Sequence, residues 1–159
     1  REAEEAGLEL NVALYTAAVG ACGAGSQWLA ACSLLEEARW GRLHADARLH
    51  NAVISACEKA REWRQALLVF EDLAGEALPT EVSFNAMISA FVKGEQWERA
   101  LWLFEDSHWP RGPLTPGVVT YGAALSACER GGRWREALDL LARLESGICT
   151  QTWSRTAPR

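Results

Sequence analysis

Apolar positions recur along this chain with helical spacing, two stripes to a unit. In the stretch around 50 to 72, His50, Val53, Ile54 and Cys57 keep the i, i+3, i+4, i+7 spacing that lays one stripe along a helix. The charged break EKARE follows, and a second stripe runs through Trp63, Ala66, Leu67 and Phe70. The same alternation of stripe, break and stripe predicts first helices near 12–24, 47–59, 82–93 and 118–130. Second helices are predicted near 27–40, 62–75, 96–108 and 133–146. Gly94 and Gly131–Gly132 stand at breaks and are expected to act as helix stops. Between units, GEALPTE at 75–81 and HWPRGPLTPG at 108–117 are loop-like, because proline lacks the N–H that a continuing helix needs.

The units resemble one another residue by residue. NAVISACEKAREWRQALLVFED at 51–72 aligns with NAMISAFVKGEQWERALWLFED at 85–106 and GAALSACERGGRWREALDLLAR at 122–143, and more weakly with TAAVGACGAGSQWLAACSLLEE at 16–37. Trp28, Trp63, Trp97 and Trp134 hold one place in all four, separated by 35, 34 and 37 residues. An alanine follows three residues later (Ala31, Ala66, Ala100, Ala137), and then Leu35, Phe70, Phe104 or Leu141. Ala21, Ala56, Ala90 and Ala127 recur on the first helices. A period in this range, with two helices to the unit, predicts an all-α solenoid of helix hairpins, each burying its stripe on the next. The tryptophans share their stripe with Ala and Leu, so they are expected in the core and not as base-stacking platforms.

Composition narrows the function classes. The chain has 159 residues, 49% of them apolar, enough for a real core. No apolar run approaches the roughly 18 residues of a membrane span. It starts at Arg1 and shows no signal peptide, so it reads as a piece of a longer protein. Cys22, Cys57 and Cys128 hold equivalent places, and the third unit has Phe91 there, so the place calls for an apolar filler rather than a metal ligand. No phosphate loop and no nucleophile with a base stands out. Neither an enzyme nor a cofactor is expected.

The openings ALYTAAVGAC, RLHNAVISAC, VSFNAMISAF and VTYGAALSAC, with the W..AL.LF second helices and the closing LPT and LTPG, resemble pentatricopeptide repeats. Tetratricopeptide repeats share the period but carry their Trp in the first helix. The resemblance covers residues 12 to about 150 and implies a right-handed superhelical solenoid. Its frame divides the chain into the end of a preceding repeat (1–11), repeats at 12–46, 47–80, 81–117 and 118–152, and a tail (153–159), the third repeat having a linker two residues longer.

The resemblance also implies a partner, single-stranded RNA, read at roughly one base per repeat. Transferred residue by residue, the base-reading pairs are Thr16 with Asp46, Asn51 with Thr80, and Asn85 with Gly117. The fourth is Gly122, which has no side chain to read with, beside Gln151 or Thr152. Thr with Asp resembles the family's guanine reader, and Asn at the first place its pyrimidine readers. The alternative for Asn51 and Asn85 is helix N-terminal capping. Lys59, Lys93 and Arg130 share one place near the ends of the first helices, where the family brings a basic residue to the RNA backbone. Ala24 breaks that series. The alternative for them is to complement the helix dipole.

A formal net charge of -5 has the wrong sign for attracting phosphate, but most acids fall on second helices or in REAEE. The resemblance implies organelle transcripts, in mitochondrion or chloroplast, with any chemistry supplied by another domain or a partner protein. The rival class is a protein-interaction scaffold, with Trp40, Trp102 and Trp109 as its partner face.

Overall fold

The computed structural model describes residues 2–41, 45–76, 78–105 and 116–156, and the side chains of 12–41, 45–76, 78–105 and 116–146. The linker at 106–115, with Trp109, lies outside them. The described residues form α1 (Glu2–Ala24), α2 (Trp28–Trp40), α3 (Ala47–Lys59), α4 (Trp63–Glu76), α5 (Glu81–Lys93), α6 (Trp97–Glu105), α7 (Val118–Gly131) and α8 (Trp134–Thr156). No strand occurs among them. The interior helices match the expected spans closely. At the ends the helices run further: α1 starts well before residue 12, and α8 continues well past 146. The added segments carry no proline, and Glu, Ala and Leu in the first of them favour helix.

All four hairpins turn in the same way. Ser26, Arg61, Glu95 and Gly132 take left-handed φ of 54°, 63°, 61° and 64°. The next amide reaches back to the carbonyl of Cys22, Cys57, Phe91 or Cys128 at 2.9, 3.0, 2.8 and 2.8 Å. This is a Schellman stop, which satisfies carbonyls that the helix end would leave orphaned. Only Gly132 serves it as a left-handed glycine. Gly94 has an ordinary φ of -81°, and the left-handed residue is Glu95. Gly94 is needed for another reason: a Cβ there would sit 2.4 Å from Cδ1 of Trp63. Gly131 likewise leaves room for Trp97, whose ring would lie 2.6 Å from an added Cβ.

The helices form two layers. First helices α1, α3, α5 and α7 pack side by side, each also touching its hairpin partner. From α3 onward each also meets the second helix of the preceding hairpin. Among the described residues, second helices make no close backbone contact with one another, and side chains bridge the gaps between them. Arg39 of α2 holds Asp72 at 3.1 Å and Glu76 at 2.5 Å on α4. A stack whose first helices touch while its second helices stand apart bends toward the first-helix side, which becomes the inner face.

The core lies between the layers. Ala31, Ala66 and Ala100 are fully buried, and so, within 1%, are Ala56, Ala90 and Ala127. These small residues let the backbones approach: a Cβ on Gly23 of α1 would already lie 3.3 Å from that of Ala56 on α3. Trp28, Trp63 and Trp97 pack half-buried against this core, and Cys57, Phe91 and Cys128 are buried at their shared place. Trp134 departs from the series at 64% exposed, and so does Leu141 at 42%. Ala21, expected among the packed alanines, is exposed too. Both departures fall at the ends of the described stack, where no further hairpin covers them.

Candidate nucleic-acid interface

Each first helix from α3 onward begins at the residue that the family resemblance pairs with a base reader. Asp46 is the N-cap of α3, and its Oδ1 accepts the Leu49 amide at 2.9 Å. Its Oδ2 accepts Arg48 Nε at 2.8 Å. Partial burial pushes the Asp46 carboxyl up, but the Leu49 amide and the Arg48 guanidinium together outweigh it and hold it below the ordinary aspartate value. Thr80 caps α5 in a capping box: Ser83 N donates to Thr80 Oγ1 at 3.4 Å, and Thr80 N donates to Ser83 Oγ at 3.0 Å. Gly117 heads α7 and offers no side chain. Glu81 of the preceding repeat fills that space, so a Cβ on Gly117 would lie 2.5 Å from its Oε1. Thr120 Oγ1 donates to the same oxygen at 3.3 Å. A carboxylate at a helix start suits the positive end of the dipole.

Capping therefore falls to Asp46 and Thr80, and not to Asn51 and Asn85. The two asparagines sit more than a turn inside their helices, half-buried, where no amide is left uncapped. Asn51 Nδ2 reaches Thr80 Oγ1, the last residue of its repeat and the N-cap of α5, at 3.5 Å, so this pair meets between adjacent hairpins. The Oδ1 atoms of Asn51 and Asn85 are both buried without a hydrogen-bond partner. Thr16 turns its hydroxyl onto its own helix, donating to Val12 O at 2.8 Å, and makes no bond to Asp46. Gly122 faces open space. The side chains of Gln151 and Thr152 lie outside the described residues.

The three cations close the last turns of α3, α5 and α7. They are not equivalent. Lys93 Nζ is held by Glu58 Oε1 of α3 at 2.9 Å, and Ser89 Oγ donates to the same oxygen at 2.6 Å. Lys59 and Arg130 are exposed, Arg130 beside Glu95 and Trp97 on a shallow cleft of about 340 Å³. Glu58 and Glu81 were missed by sequence reading, since nothing local marks an acid whose partner sits one repeat away. His50, at the place where other first helices carry Tyr15, Phe84 and Tyr121, is fully buried with Nδ1 3.0 Å from Asp46 O. Its Nε2 lies 3.8 Å from Glu76 Oε2.

Among the described residues no group of three His, Cys, Asp or Glu could hold a metal, and no helix is long and apolar enough to cross a membrane. No curated protein matches the chain closely enough to count as a relative. The family model of the PPR repeat matches residues 49–76, 82–107 and 119–147, just over half of the chain. Those matches coincide with the hairpins α3–α4, α5–α6 and α7–α8. Hairpins of one period, stacked with their first helices in a row and matched by that model three times over, make this chain a member of the pentatricopeptide-repeat (PPR) family, whose arrays typically bind RNA and are typically not catalytic.

Proposed function

We propose that the first-helix face binds single-stranded RNA with sequence selectivity and that the chain acts in the processing, stability or translation of mitochondrial or chloroplast transcripts. The observation that carries this reading is the meeting of Asn51 with Thr80 on adjacent first helices, 3.5 Å apart. Two polar side chains, one inside a first helix and one capping the next, there form one unit, and an asparagine amide carries both donors and an acceptor for a base edge. The buried, unpartnered Oδ1 atoms of Asn51 and Asn85 add two acceptors in search of donors. Lys59 and Arg130 supply exposed charge toward the backbone. The same frame takes Thr16 with Asp46 as a guanine reader and Asn85, beside Gly117, as a pyrimidine reader. Any chemical step on the RNA belongs to partner proteins.

The experiment compares four RNAs differing only at the base facing the second repeat. Pyrimidines should bind better there, and Asn51→Ala should flatten that preference by about 1–3 kcal/mol, by analogy with bidentate base contacts. Lys59→Ala should weaken all four alike. The scaffold reading rests on Trp40 and Trp102, 86% and 67% exposed on second helices. Absence of RNA binding even at low salt would decide for it.

A further inference from the structure

The repeat at 81–117 lacks a side chain that its neighbours have and carries an acid that they lack. Its last residue is Gly117, where the two repeats before it end on Asp46 and Thr80. Its first is Glu81, where the other repeats open on Val12, Ala47 and Val118. The fold brings these two departures together. Glu81 Oε1 lies 2.5 Å from the position of a Cβ on Gly117, about the span from Cβ to a carboxylate oxygen within one aspartate side chain. Thr120 Oγ1 of α7, itself fully buried, donates to that oxygen at 3.3 Å and holds it in place. A carboxylate from α5 thus stands where the glycine at the head of α7 offers nothing.

Asn85 follows Glu81 at i+4 on α5, so the two side chains share a face of the helix. In the repeat before, Asn51 turns Nδ2 toward Thr80 Oγ1 at 3.5 Å, and its Oδ1 is buried without a partner. Asn85 Oδ1 is buried without a partner in the same way. The two repeats differ in what the second group can do. A threonine hydroxyl donates or accepts, so it serves either orientation of an asparagine amide, whereas a carboxylate only accepts.

We propose that Glu81 is a positioning residue for base recognition, taking the place that Gly117 leaves empty and orienting the Asn85 amide so that this repeat selects uracil over cytosine. The carboxylate draws the NH2 of Asn85 and turns Oδ1 to the base. Uracil presents N3–H, which Oδ1 accepts. Cytosine presents a lone pair at N3 and meets Oδ1 acceptor to acceptor. Two facing acceptors in a buried place leave both unpaired, which is how a polar site rejects the wrong partner. The role rests on RNA binding by the first-helix face and adds to it a base and the residue that selects it.

Filter binding with RNAs that differ only at the base facing repeat 81–117 tests this. The parent chain should bind the uracil RNA about tenfold more tightly than the cytosine RNA, the worth of one good base contact. Glu81→Gln keeps an oxygen for Thr120 but sets an NH2 beside Asn85, so the ratio should fall to near unity or invert. Glu81→Ala should abolish it as well. Adding Gly117→Asp to Glu81→Ala should restore it, because the carboxylate then returns from the head of α7. Gly117 has an ordinary φ of -83°, which aspartate adopts without strain at an N-cap. A role confined to holding α7 would move the thermal midpoint and leave the uracil-to-cytosine ratio as it was. Circular dichroism checks the fold of each variant, and Glu81→Gln, of the same size and shape, carries the test if the alanine variant unfolds. A parent without preference for uracil at this base, or a preference that survives both Glu81→Gln and Glu81→Ala, overturns the proposal and leaves RNA binding standing. Absence of binding to any RNA at low salt overturns both.

Discussion

Asp46 divides its carboxylate between the Leu49 amide that it caps and the Arg48 side chain beside it. Removing the cap as Asp46→Ala should cost about 1 kcal/mol, whereas Asp46→Asn keeps an acceptor and should cost much less. The two also separate in their response to acid. The folded-state pKa of Asp46 is depressed, so its contribution is complete above the unfolded value of about 3.9 and is lost as the pH falls through the folded value. Urea midpoints of the parent and Asp46→Asn should therefore converge only below about pH 4; convergence at neutral pH would mean that the charge contributes nothing. The cysteines give a second residue-scale prediction. Hydrogen bonding to Cys32 pushes the Cys57 thiol well up, burial adds to it, and Cys32 at the other end of that contact is lowered. Cys32 is half-buried and Cys57 fully buried. Iodoacetamide should then label Cys32 well before Cys57 in the folded chain, since the thiolate is the nucleophile. Equal labelling rates by peptide mapping would refute the assignment.

At the scale of the element, the hairpins hold together through a few large rings set against small residues. Trp97 packs half-buried on the core between α6 and α7, so Trp97→Ala should cost about 3 kcal/mol through the cavity it opens. Trp102, five residues along the same helix but 67% exposed, should change stability by no more than about 0.5 kcal/mol as alanine. Gly94→Ala places a methyl where the Trp63 ring already lies, and should cost about 1–3 kcal/mol by overpacking. Denaturation midpoints of the three variants check all of this, and a Trp102→Ala shift as large as that of Trp97→Ala would contradict the packing. Arginines extend the same scheme over the outer layer. The guanidinium of Arg99 on α6 lies 4.9 Å from the Trp63 ring centroid of α4, a cation–π contact that spans second helices with no backbone contact between them.

Across the whole molecule, both layers carry charge of both signs. Acids stand on every second helix, α1 adds Glu2, Glu4, Glu5 and Glu9 to the first-helix row, and α3, α5 and α7 end in Lys59, Lys93 and Arg130. Glu58 holds Lys93 between α3 and α5. If the inner row meets RNA, two available cations imply a slope of log affinity against log salt of about −1.4, at roughly −0.7 per phosphate of a single strand. Glu58→Gln should release Lys93, strengthen binding and steepen the slope to about −2. An unchanged slope in that variant would place the RNA backbone away from the ends of the first helices.

Much of this architecture was legible in the chain itself. The stripes of Val53, Ile54 and Cys57 and of Trp63, Ala66 and Phe70 belong to single helices, and the breaks between them are local, so helix order and hairpin pairing follow from short windows of sequence. Family membership followed from the same repetition. What a residue does at its place was decided by neighbours about a repeat away. Gly94 is a glycine because Trp63 needs the room, not because the helix stops there. Trp134 matches Trp97 in pattern and yet is exposed, since its cover would have to come from another hairpin. Capping was the alternative for the two asparagines, but the caps are Asp46 and Thr80, and Asn51 reaches Thr80 at the head of the next first helix. Lys59, Lys93 and Arg130 read alike in sequence, and only the packing of α3 against α5 sets Lys93 apart. A periodic sequence determines the unit and its stacking; burial, ion pairing and close approach are properties of the junction, and they form only when two units meet.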